Sequence, residues 1–155
     1  MLAKIVCVGA ALNPAASAQG FLTGGDATSI LATIVAQCIG GVLALQIGCF
    51  LGLVTKSKKA VSKEDHVATG IMEFLGTLVL FLGFAAAEEQ HNVILAGVSL
   101  FVAASMIFHG HFNPAFTVMS VLKGDTHIEN AAVWAAAQIA GVYAAGKLGA
   151  FLKQG

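Results

Sequence analysis

The sequence predicts an all-α membrane protein with about four spanning helices and two short helices that enter the bilayer only halfway. Three observations predict it. Of 155 residues, 57% are hydrophobic and only 10% are charged, against roughly 25% charged in a soluble domain. Four apolar segments approach or exceed the ~20 residues a helix needs to cross the hydrocarbon. The chain has just two prolines, Pro14 and Pro114, and each sits inside the triplet Asn-Pro-Ala.

The first short helix is expected over residues 13–22. Asn13 is a strong N-cap, and Pro14 fits the first turn, where no amide hydrogen is needed. Ten residues make a helix of about 15 Å, half the thickness of the hydrocarbon layer, so this segment cannot span. The first spanning helix is expected over residues 29–54, which carry no charge. Residues 55–66, TKSKKAVSKEDH, form a polar linker. The second spanning helix, 67–87, contains one carboxylate, Glu73. After the acidic loop 88–92 comes the third, 93–108. At 16 residues it is slightly short, and it is expected to extend into its polar flanks. The triplet Asn13-Pro14-Ala15 then recurs as Asn113-Pro114-Ala115, opening a second short helix over 113–122. The last spanning helix is expected over 131–152, with Lys147 near its end, where a long side chain can snorkel to the interface.

The chain reads as one domain made of two repeats, about 1–54 and about 67–155, joined by the linker. At an offset of 100 residues, Leu12-Asn13-Pro14-Ala15 matches Phe112-Asn113-Pro114-Ala115, and Ser17 matches Thr117. Leu22 and Gly24 match Leu122 and Gly124; one gap later, Gln37 and Gly40 match Gln138 and Gly141. Internal repeats of this kind mark membrane transport folds. A helix that starts inside a membrane leaves free amide hydrogens and a positive dipole end there. Such backbone is tolerated only where protein buries it or water lines it. Two such ends meeting at mid-depth would surround a pore with positive potential and two Asn donors. Neutral hydrogen-bonding solutes could pass, while cations and protons would be disfavoured.

These residues resemble the aquaporin and glycerol-facilitator family of channels. His109 to Val118, HGHFNPAFTV, resembles the family's first-half motif, and Gly9 to Ser17, GAALNPAAS, its second-half motif. Glu73 to Thr77, EFLGT, resembles the start of its first helix. The resemblance implies a passive channel for water or small neutral solutes such as glycerol, with Asn13 and Asn113 as pore donors. It also implies a homo-oligomer, a tetramer, in the bilayer of the cell membrane.

The chain departs from the family pattern in two ways. Family members usually have six spanning helices, and four are read here. Either the chain begins late, or the order is rearranged to half-helix, sixth, first, second, half-helix, third. The positive-inside rule favours rearrangement, which puts Lys56, Lys58, Lys59 and Lys63 in the cytoplasm; Lys147 and Lys153 argue the other way. A chain that does not conduct, or a subunit that needs partners to form a pore, is the alternative function. Second, an arginine commonly follows the family's second triplet. Here Ala16 and Phe116 follow the triplets, and all eight cations are lysines. Phe116 either narrows the pore or packs against a neighbour.

The remaining polar residues have structural readings. Glu73 is expensive in a membrane, so it is expected to face the interior and accept hydrogen bonds from exposed backbone. Gln37 and Gln138 are expected to brace in the same way. His111 is expected at the pore mouth or as a loop brace. His109 and His111 alone do not complete a metal site. Cys7, Cys38 and Cys49 read as small apolar residues, their odd number arguing against a disulfide framework. Lys4 is too weak an n-region for a cleavable signal, and the apolar run after it breaks at Asn13-Pro14. Formal net charge is zero, so no basic face for nucleic acid is expected. No catalytic residues, cofactor or metal are expected.

Overall fold

The computed structural model describes residues 13–55, 66–90, 92–106 and 110–152. Lys4, Cys7, Leu12, the linker lysines Lys56, Lys58, Lys59 and Lys63, His109 and Lys153 lie outside them. Among the described residues there are six α-helices and no strand. Helix α1 (Pro14–Ala18) continues into a 3-10 turn (Gln19–Thr23). Then come α2 (Ala27–Phe50), α3 (His66–Glu89), α4 (Val93–Met106), α5 (Pro114–Lys123) and α6 (Ile128–Leu152).

Three of these, α2, α3 and α6, are long and apolar enough to cross a membrane. The described part of α4 has 14 residues, about 21 Å; the expected end of this helix at residue 108 lies outside the described residues. Of the four spanning helices expected, three have the length among the described residues. Two helices start earlier than hydropathy suggests, because helical hydrogen bonding extends into polar residues that hydropathy excludes. Helix α2 begins at Ala27, where Asp26 accepts the Ser29 N–H at 2.7 Å. Helix α6 begins at Ile128.

Helix α3 packs between α4 and α6. Helix α1 packs on α2 and α6, and α5 likewise on α2 and α6. The two short helices thus wedge between the long helices of the two repeats. The buried core sits at this wedge: Ala15, Leu80, Phe81, Phe112, Val142 and Ala145. In lipid, such packing is driven by dispersion and close fit rather than by release of water. Gly141 illustrates the fit: a Cβ there would lie 2.7 Å from the Phe74 carbonyl oxygen of α3. Both short helical stretches end on a glycine in the left-handed region, Gly24 (φ 75) and Gly124 (φ 87), the residue that takes this cap without strain.

The outer side of α2 is apolar and open. Leu31, Val35, Ile39, Leu43 and Ile47 recur every fourth residue, each more than half exposed. Large contiguous apolar patches are uncommon on soluble monomers, and an exposed apolar stripe along one helix suits a lipid-facing position.

Candidate functional site

The site is built where α1 and α5 begin. Each triplet folds as a helix cap. Asn13 and Asn113 hold extended backbone, and each side-chain oxygen accepts the N–H two residues on, from Ala15 at 3.0 Å and from Ala115 at 2.9 Å. Pro14 and Pro114 occupy the first turn. Each Asn carbonyl accepts the first helical N–H, from Ser17 and Thr117, at 3.1 Å. The two starts lie side by side: the Asn13 amide nitrogen donates to the Phe112 carbonyl at 2.8 Å. Both triplets are buried. Neither first turn carries an acidic side chain, so no carboxylate there offsets the positive end of either helix.

Phe112 is held from both sides. Its carbonyl takes Asn13, and its N–H donates to Glu73 Oε2 at 2.9 Å. Glu73 Oε1 accepts the His111 N–H at 2.8 Å. These bonds pin Phe112 at φ 49, the one non-glycine positive φ among the described residues. A bulky residue there stores roughly 1–3 kcal/mol of strain. The Phe112 ring lies against Gly76 of α3, where any Cβ would overlap it. Glu73 is 2% exposed; its third bond comes from Gln138 Nε2 at 2.9 Å. That same nitrogen donates to Thr117 Oγ1 at 3.1 Å, which lies 3.1 Å from His111 Nδ1. The His111 ring meets Trp134 edge-on at 5.2 Å, and Trp134 Nε1 donates to Thr69 on α3 at 2.9 Å. One connected network thus ties α3 and α6 to the start of α5.

The first repeat carries the matching bond. Gln37 Nε2 donates to Ser17 Oγ at 2.8 Å, as Gln138 does to Thr117. The two repeats differ beyond that pair. Gln138 is fully buried under α3, while Gln37 is only partly buried. Gly141 is pressed against α3, whereas a Cβ on its counterpart Gly40 would meet nothing within 4 Å.

The sequence-predicted residues Asn13, Asn113, Glu73, Gln138 and His111 therefore converge, with Pro14, Ala15, Pro114 and Ala115 framing them. Gln37 braces the other repeat. Phe116 stands apart, 54% exposed. It lines, with His111 and Phe112, an open cavity of about 550 Å³. Phe112, Thr117, Trp134 and Gly76 also belong to the site. Phe112 and Thr117 fall in the repeat alignment, opposite Leu12 and Ser17, and Gly76 lies in EFLGT, but nothing in the sequence marked Trp134. Among the described residues no group of three His, Cys, Asp or Glu is placed to hold a metal. Comparison with known proteins finds no matching family, curated relative or solved structure.

Proposed function

We propose that the chain is a passive membrane channel for water or small uncharged solutes, on the aquaporin plan that its triplets resemble. One observation carries this reading: two Asn-Pro-Ala helix starts, a hundred residues apart in sequence, joined by the Asn13–Phe112 bond. In this reading α1 and α5 enter from opposite faces and end at mid-depth. Their positive ends and the Asn side chains then face one narrow path. A hydrogen-bonding neutral solute exchanges its water contacts for these donors. A cation or proton loses hydration with no negative ligand in return. With no arginine anywhere in the chain, the meeting point carries more of this exclusion than it does with an arginine beside it. The resemblance adds a tetramer in the cell membrane to the proposal. Asn113→Asp tests the mechanism, since it sets a carboxylate at the positive end. In liposomes with an internal pH dye, the variant should leak protons that the native chain excludes. Equal proton tightness in both, with solute flux intact, would count against the midplane barrier.

A second reading draws on the open face of α2. Gly40 is uncovered where its counterpart Gly141 is covered by α3, which favours a subunit that completes its pore only with a partner helix. Solute flux from the chain reconstituted alone would reject it.

A further inference from the structure

We propose that the open cavity beside α5 binds one acyl chain of a zwitterionic phospholipid, with the headgroup at Lys123 and Asp125. The proposal rests on the membrane reading but not on conduction. The cavity, about 550 Å³, lies between α2 and α4 along one side of α5. Its walls are mostly apolar, with Leu45 from α2, Leu100 from α4, and Phe112, Phe116 and Met119 along the floor; His111 and Ser120 are the uncharged polar side chains among them. Its far end is charged. Lys123 Nζ and Asp125 Oδ2 are 2.7 Å apart, each side chain a little over one-third exposed.

Length and charge select the occupant. Phe112 precedes the first turn of α5 and Lys123 ends it, so the apolar floor runs about 15 Å. That is half the ~30 Å hydrocarbon layer, the depth of one leaflet. A chain entering at Lys123 reaches Phe112 with its methyl end. At the other end the two opposite charges match a zwitterionic headgroup, Lys123 meeting phosphate and Asp125 meeting ammonium. An exposed ion pair is worth only ~0–1 kcal/mol, so exchanging it for headgroup contacts costs little. A polar solute finds hydrogen-bonding side chains between the ends only at Ser120 and His111, and gains nothing from Leu45, Leu100, Phe116 and Met119. Left unfilled, the same walls would lose their dispersion contacts.

Trp134 reports on the deep end. It is the only tryptophan, and its ring is 5.2 Å from that of His111, which lines the cavity. The experiment reconstitutes the full chain in phosphatidylcholine vesicles whose acyl chains carry bromine near the methyl end. Flotation and resistance to alkaline extraction first establish insertion, which separates failure of this proposal from failure of the membrane reading. The expected result is loss of most Trp134 emission, largely restored by Ala44→Phe, which fills the groove from the exposed side of α2. Should Ala44→Phe not fold, Lys123→Ala with Asp125→Ala supplies the same test from the headgroup end. That pair should lose a phospholipid that the native chain retains through mild detergent, read by mass spectrometry. No quenching in inserted protein, equal quenching in native and Ala44→Phe chains, or protection by glycerol would each overturn the proposal. Equal lipid retention after removal of both charges would overturn it as well.

Discussion

Replacing Glu73 by Gln removes almost no volume but one acceptor. Glu73 now takes three N–H donors: His111 on Oε1, and Phe112 and Gln138 on Oε2. An amide keeps one oxygen. In its better orientation it retains Phe112 and Gln138 and turns its own NH2 towards the His111 N–H. One charge-assisted bond is lost, ~1.5–3 kcal/mol, and two fall to the ~0.5–1.5 kcal/mol of neutral bonds. Relaxation of Phe112 from φ 49 returns part of its strain. The net loss is ~2–4 kcal/mol. At ~2–4 °C per kcal/mol for a chain of this size, Glu73→Gln should melt ~4–16 °C lower. The assay is thermal unfolding in detergent, followed by circular dichroism. The clamp reasoning also requires that solute flux fall in the variant, because the 111–112 backbone seats Asn13. Melting within about 1 °C of the native chain would refute it.

The repeat glycines offer a paired test. Gly141→Ala should destabilise by ~1–3 kcal/mol through overlap with α3, while Gly40→Ala meets open space and should gain ~0.5–1 kcal/mol of helix propensity; melting curves of both variants check the contrast. Gly76→Ala should destabilise in the same assay, unlike Gly40→Ala, because its methyl overlaps the Phe112 ring. At the start of α2, hydrogen bonds from the Ser29 side chain and then its backbone hold the Asp26 carboxyl below its ordinary 3.8. The folded value is the lower one, so the cap's contribution is complete above pH 3.8 and is lost as pH falls through the folded value. Native and Asp26→Asn chains should therefore differ in melting temperature at neutral pH and converge in acid.

Some of this geometry is local chemistry that can be read from the sequence. Asn before Pro caps a helix wherever the segment sits, and a glycine at the matching end accepts the left-handed cap. These two facts locate both ends of α5, and the repeat spacing extends them to α1 and its 3-10 turn. The Ser17–Gln37 and Thr117–Gln138 bonds are equivalent under the repeat alignment, which matches Ser17 to Thr117 and Gln37 to Gln138 but does not itself show that Ser17 meets Gln37. Phe112 was not legible. No sequence pattern puts a bulky aromatic at positive φ; only the joint hold of Glu73, Asn13 and the bare backbone of Gly76 does so, and those groups come from three distant segments. Phe116 follows the triplet directly, yet a one-residue step turns it 100° around α5 from the buried Ala115, out into the cavity.

The most direct test of the channel proposal is osmotic flux through the native chain alone. Purified protein would be reconstituted in liposomes, its insertion verified, and volume change followed by stopped-flow light scattering under water and glycerol gradients. The proposal predicts a rate above empty liposomes for at least one of the two, proportional to inserted protein and unaccompanied by proton leak. Folded, inserted protein whose liposomes change volume no faster than empty ones would contradict it and leave the reading of a subunit that needs a partner.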